Sequence, residues 1–254
     1  MLLMASDYVG HEITKFLCEN DKGIDVFVYD EVDRGNYNSS MLDFIRKTYP
    51  NAEIYANTQF NQPDVLEHIK QRRLPIGCLA WWPYIIDDRI IGLTERGFIN
   101  THPAYLPYNR GKHPYFWSIV EGTKFGVTLH YVNTGIDSGP ILVQKEIPIS
   151  WTDTGESLYM RSREEMLALF YQNFDQIISG SVRGHEQDQS TGTFHYGKEL
   201  DPFCTLSLDK QYSARQLLNI LRGRMFNGKG AVKFSAEGED YIVSIQIDKV
   251  PKED

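Results

Sequence analysis

Over its first eighty residues the chain alternates two hydrophobic periods, and this limits the architecture more than any other feature. Leu2-Leu3-Met4-Ala5 is a short apolar run, punctuated by Asp7 and Gly10. Residues 11–20 then carry Ile13, Phe16 and Leu17 at helical spacing. A second apolar run covers Ile24 to Tyr29, and a polar loop follows from Asp30 to Asn38. Met41, Leu42 and Ile45 mark a helix face, Glu53 to Ala56 a third strand, Asp64 to Lys70 a short helix, and Ile76 to Ala80 a fourth strand. Short apolar runs separated by helical stretches predict an α/β, Rossmann-like fold, with a mostly parallel sheet flanked by helices.

The middle of the chain changes character. Phe98 to His102 reads as a strand ending in polar groups, and a turn-rich loop runs from Pro103 to Pro114. Pro114 to Val120 is expected to be a helix with proline in its first turn. Gly126 to Val132 alternates like a strand, Asn133 to Pro140 is a glycine-containing turn, and Ile141 to Ile149 is another strand. Asp153 with Glu156 has capping-box spacing. The helix it would open carries Met166, Phe170, Phe174, Ile177 and Ile178 on one face and ends near Gly180. The polar stretch 181–193 suggests a boundary, giving a main domain over 1–180 and a small α+β region over 181–254. In the latter, Ser213 and Gln216 form a second capping-box pattern, and Ala231–Ser235 with Tyr241–Ile247 reads as a hairpin.

Composition excludes several classes of function. The net charge of −8 disfavours a broad basic face for nucleic acid and offers no polybasic membrane anchor. No apolar run approaches the ~18 residues of a membrane-spanning helix. The start of the chain lacks the basic and apolar regions of a signal peptide. Cys18, Cys78 and Cys204 are sparse and far apart, which fits a reducing, cytoplasmic setting.

The residues that could carry chemistry cluster around one strand. Asn100 and His102 lie two apart, so a strand presents both on one face. In a parallel α/β sheet its carboxyl end is where ligands bind. Asp137 follows in the turn Gly135-Ile136-Asp137-Ser138-Gly139, whose glycines permit close backbone approach. The three supply an acid/base group, a carboxylate and a neutral donor for a developing oxyanion. By spacing alone, an Asn-x-His pair is more often structural, and an aspartate in such a turn more often caps its own backbone. His102, His113, His130 and Asp137 have no metal-site spacing such as HExxH, so no metal is expected. Trp81-Trp82-Pro83-Tyr84 could face a flat ligand or form a core aromatic cluster. Tyr105, Tyr108, Asn109, Arg110 and His113 could contact a sugar, base or phosphate, or solvate a surface loop.

Four ordered segments add a more specific signal. Asn100-Thr101-His102-Pro103, Tyr105-Leu106-Pro107-Tyr108-Asn109-Arg110-Gly111, Gly126-Val127-Thr128-Leu129-His130 and Gly135-Ile136-Asp137-Ser138-Gly139-Pro140-Ile141 resemble the formyltransferase family that uses 10-formyltetrahydrofolate. Asn109-Arg110-Gly111 with His113-Pro114 is most similar to its sugar-nucleotide N-formyltransferase branch. The resemblance implies that Asn100, His102 and Asp137 are catalytic. It also implies that Trp81, Trp82, Pro83, Tyr84, Ile85, Gly135 and Ile136 line the folate pocket, and that Tyr105, Tyr108, Asn109, Arg110 and His113 meet the substrate. It further implies 10-formyltetrahydrofolate as formyl donor and a dTDP- or GDP-linked amino sugar as acceptor, for bacterial surface polysaccharide such as O-antigen. A homodimer pairing through C-terminal elements is implied as well.

Three rival readings remain. Methionyl-tRNA formylation calls for a basic appendage, yet residues 191–254 carry nine Lys/Arg and nine Asp/Glu. Hydrolysis of the formyl-folate would put water in place of the amine. A silent nucleotide-binding module would have no use for the Asn100, His102 and Asp137 constellation.

Overall fold

The computed structural model describes residues 1–251. Its central sheet has seven strands: β1 (Leu2–Ala5), β2 (Val26–Tyr29), β3 (Glu53–Ala56), β4 (Gly77–Ala80), β5 (Phe98–His102), β7 (Gly126–Tyr131) and β8 (Ile141–Glu146). β6 (Arg110–Gly111) lies outside it. The strand order is β3-β2-β1-β4-β5-β7-β8. β1 pairs in parallel with both β2 and β4, β2 with β3, and β4 with β5. β7 turns antiparallel against β5. This is the mostly parallel architecture that the alternating periods predict. Every residue of β1 and β4 is buried, as expected for strands covered on both faces.

The chain divides into two compact units. The first comprises 1–102, 128–144 and 165–187, and the second 103–127, 145–164 and 188–254. In the first, Leu2, Met4, Val26, Val28, Leu79 and Phe98 project from the sheet onto Phe60, Leu66 and Ile69. Phe60, Leu66 and Ile69 belong to the helices α3 (Asn57–Phe60) and α4 (Pro63–Gln71). The strand residues alternate along each strand, so one face supplies this core. Each such large side chain contributes roughly 1.5–3 kcal/mol on burial. In the second unit, Phe116 and Trp117 of α6 (Pro114–Glu121) pack with Ile220 and Leu221 of α9 (Ala214–Gly223) and with Val232. Val232 opens the hairpin of β11 (Val232–Ala236) and β12 (Glu239–Val243).

Three local expectations are corrected. Helix α1 begins at Asp7 and runs to Glu19, so Asp7 and Gly10 lie inside it. Gly10 is needed there because a Cβ would sit 2.8 Å from the Ala80 carbonyl oxygen. The long helix α7 (Gly155–Ile178) is opened by Thr154, not by an Asp153–Glu156 box. Thr154 Oγ1 accepts from Ser157 N at 3.2 Å, and Ser157 Oγ accepts from Thr154 N at 3.0 Å. Asp153 instead accepts from Ser150 N and from Ser157 Oγ. Strand β8 ends at Glu146, so Ile147 to Ile149 fall outside it. The second capping box is present: Ser213 and Gln216 exchange bonds at 3.0 and 3.2 Å. Among the described residues, no helix is long and apolar enough to cross a membrane.

Candidate active site

β5 delivers two polar side chains to one face and a hydroxyl to the other. Asn100 and His102 share a face, while Thr101 between them turns away and donates to the Leu79 carbonyl at 3.1 Å. Thr101 Oγ1 also accepts from Trp81 N at 2.8 Å, which fixes the chain as it leaves β4. His102 is the last residue of β5, yet its ring is buried at 6% exposure.

The antiparallel register sets Asn100 opposite His130 and His102 opposite Thr128. His130 thereby joins the site from β7. Its Nδ1 lies 2.8 Å from the Tyr131 carbonyl, which can only accept, so Nδ1 carries the proton. The neutral ring then presents a bare Nε2. Burial pushes the His130 pKa down to about 4; the Asp137 carboxylate opposes that fall and His102 adds to it.

Asp137 arrives from the turn after β7, in a left-handed conformation at φ 48°. Its Oδ1 is a point of convergence, 3.3 Å from Asn100 Nδ2, 3.5 Å from His102 Nδ1 and 3.7 Å from His130 Nε2. Gly139 lets the turn close, since a Cβ there would sit 1.9 Å from the Tyr131 carbonyl oxygen. The predicted close approach of this glycine-flanked loop is therefore realised. Gln187 clamps the turn from outside. Its amide donates to the carbonyls of Asp137 at 2.9 Å and Gly139 at 2.7 Å.

These contacts decide which way the Asn100 amide points. Its nitrogen donates to His130 Nε2 at 3.2 Å and to Asp137 Oδ1 at 3.3 Å. Reversing the amide would set its oxygen against two acceptors. Both bonds exceed the ~2.9–3.0 Å typical of N–H donors. Both amide hydrogens are thus engaged, in bonds at the long end of the ordinary range.

The segment after β4 is a loop. Trp81 is left-handed at φ 56°, Trp82 packs edge-on against Tyr84 at 5.6 Å, and Ile85 is 76% exposed. The Tyr84 hydroxyl donates to Asp30 Oδ1 at 2.9 Å. Asp30, buried just past β2, also accepts from Ser6 Oγ at 3.2 Å and pairs with Arg34. Ser6, Asp30 and Trp81 follow β1, β2 and β4, at the carboxyl edge where open α/β sheets bind ligands. Gly135 N bonds the Asn133 side chain at 3.1 Å, and Ile136 sits beside it in the turn.

The loop after β5 belongs to the second unit. Asn109 is fully buried, and its amide donates to Ser118 Oγ and Thr123 Oγ1, both at 2.7 Å. Its oxygen accepts from Thr193 Oγ1 at 2.9 Å. Asn109 is thus held inside the loop by three side-chain bonds and anchors it. Arg110 pairs with Phe194 in a short parallel ladder of β6 with β9 (Phe194–His195). His113 Nδ1 lies 3.0 Å from the Tyr115 hydroxyl, and burial lowers its pKa. The Tyr105 ring carries Lys124 Nζ at 5.0 Å, and Tyr108 N bonds the Tyr105 carbonyl at 3.1 Å.

Two members of this site escape sequence reasoning. His130 stands out only as one of several histidines, because its partner Asn100 is fixed by a cross-strand register. Gln187 lies in the polar stretch that reads as a boundary, and no local pattern marks it.

Comparison with known proteins identifies the family. The formyl transferase family model matches residues 26–173, and the N-formyltransferase dimerization C-terminal domain matches 199–249. The chain belongs to the formyl transferase family. It is 34% identical over 124 residues to dTDP-4-amino-4,6-dideoxyglucose formyltransferase of Mycobacterium tuberculosis, covering 49% of this chain and 53% of that one. The chain thus spans about half the length of that curated relative. Its fold matches a sugar N-formyltransferase from Shewanella sp FDAARGOS_354 at a TM-score of 0.79, with 20% identity and 98% of each chain covered. A formyltransferase from Anoxybacillus kamchatkensis, solved with UDP-4,6-dideoxy-4-formamido-L-AltNAc and tetrahydrofolate, is 27% identical. It aligns at a TM-score of 0.53 over 70% of this chain and 88% of that one.

Proposed function

We propose that the protein transfers a formyl group from 10-formyltetrahydrofolate to the amine of a nucleotide-linked amino sugar. The observation that carries this reading is the convergence of Asn100, His102 and His130 on Asp137 Oδ1. Acyl transfer to an amine needs a donor for the oxyanion and a route for one proton. This donor set fits a formyl carbonyl, and the loop at Trp81–Ile85 supplies an aromatic, partly open surface suited to a pterin. The sugar N-formyltransferases among the relatives support the acceptor class.

In this mechanism the neutral amine nitrogen attacks the formyl carbon. As that bond forms, the carbonyl electron pair moves onto oxygen. Asn100 then redirects one of its long N–H bonds to the oxyanion, and His102 adds a second electrostatic contact. The amine proton passes to the His102–Asp137 pair and on to the folate nitrogen as the bond from carbon to that nitrogen breaks. His130 stays neutral and keeps the Asn100 amide turned inward. Preorganised donors of this kind supply much of the rate gain without reorganisation. The match to a dimerization domain over residues 199–249 supports a homodimer.

The test is to incubate the protein with 10-formyltetrahydrofolate and a panel of dTDP-, GDP- and UDP-linked amino sugars. Mass spectrometry should find one product in which a formyl group replaces one amine hydrogen. Formate released at the same rate without any amino sugar would refute transfer and favour hydrolysis.

A further inference from the structure

Within the second unit, α9 and the segment before α7 line an open-sided cavity of about 370 Å³ with an unusual charge. Arg215, Asn219 and Arg222 stand at successive turns of one face of α9 and all line it. Trp151 and Lys124 also line it, and the one carboxylate among its described lining residues, Glu146, is held by Lys124 at 3.0 Å. Both guanidinium groups lie 4.9 Å from the centre of the same Trp151 ring.

Arg222 is 6% exposed, and the partners it bonds are neutral. Its Nε donates to Asn219 Oδ1 at 2.9 Å, and its Nη1 donates to the carbonyls of Ser150 at 2.7 Å and Asp153 at 3.1 Å. The nearby Asp153 carboxylate is taken by Arg161 at 2.7 Å. Burial disfavours such a cation; the Asp153 charge offsets part of that cost, and Arg215 adds a smaller like-charge repulsion. The chain as a whole carries −8, so two guanidiniums gathered at one cavity run against its general charge. An anion bound by both would relieve what remains of these costs. Planar guanidiniums are suited to hold phosphoryl oxygens by paired N–H bonds.

We propose that this cavity binds a phosphorylated anion of diphosphate size, gripped by Arg215 and Arg222 beside Trp151. The site is argued from the second unit alone and stands whether or not the amino-sugar reading holds. Its ligand is either free pyrophosphate or the diphosphate of a nucleotide.

Equilibrium dialysis of the full chain with labelled pyrophosphate, and separately with dTDP, tests this. Saturable pyrophosphate binding is expected, weakened about tenfold or more by Arg215→Ala, since a bond to a charged group is worth roughly 1.5–3 kcal/mol. Arg215 is exposed, so its removal spares the fold, and circular dichroism checks that. Binding in His102→Asn should match the wild type. If dTDP binds more tightly with the same Arg215 dependence, the anion belongs to a nucleotide; equal affinities assign the site to the free anion. Undetectable pyrophosphate binding at millimolar concentration, or unchanged affinity in Arg215→Ala, overturns the proposal.

Discussion

Lowering the pH should destabilise this protein through His130 over a defined window. In the native state burial holds its pKa at about 4, against the reference value of 6.5. Between those values the unfolded chain binds a proton that the folded chain refuses. Stability therefore falls as pH drops through 6.5 and continues to fall until about 4. At 1.36 kcal/mol for each tenfold change in proton affinity, the loss is about 3 kcal/mol. Above the unfolded value His130 adds no slope. That loss is a large part of the 5–15 kcal/mol that stabilises a typical domain. The assay is urea unfolding, followed by tryptophan fluorescence, for the wild type and His130→Gln at steps from pH 7 to 4. Other groups titrate in both proteins, so the difference between the two pH profiles isolates this ring. The wild type should lose about 3 kcal/mol more than the variant across the window. Parallel profiles would show that native His130 ionises normally and would refute burial as the cause of a lowered pKa there.

His102→Asn should lower turnover on the order of 100-fold or more while nucleotide-sugar binding, measured by calorimetry, changes little. Near wild-type turnover would remove His102 from proton transfer. Asp137→Asn keeps the size of the side chain but removes the charge on which three side chains converge, so single-turnover formyl transfer should slow far more than either substrate's affinity changes. Poor folate binding with normal transfer would instead make Asp137 a pocket-shaping residue. Gln187→Leu strips the donors from two carbonyls, at roughly 1–3 kcal/mol for each buried group left unsatisfied. It should slow transfer as well as lower the unfolding midpoint, with Gln187→Glu recovering part of the rate through its protonated form at low pH. A loss of stability with no change in rate would limit Gln187 to a structural role.

The alternation of apolar runs and helical stretches over residues 1–80 was enough to dictate the parallel sheet, because side-chain period and element type are local properties. The same holds for Asn100 and His102, whose shared face follows from their spacing in a strand. The Ser213–Gln216 cap could also be read directly, since both partners lie within one turn. The Thr154–Ser157 cap competed with an equally well-spaced Asp153–Glu156 pattern, and only the backbone path into α7 chose between them. Asn109 shows the limit from the other side: in sequence it is one polar residue among several in a loop, and burial turned it into an anchor. His130 and Gln187 could not be found locally at all. The antiparallel register of β7 brings His130 to Asn100, thirty residues away, and Gln187 reaches a turn fifty residues before it. Pairings over such distances are selected by the packing of whole elements, so tertiary structure alone decided how the Asp137 carboxylate is surrounded.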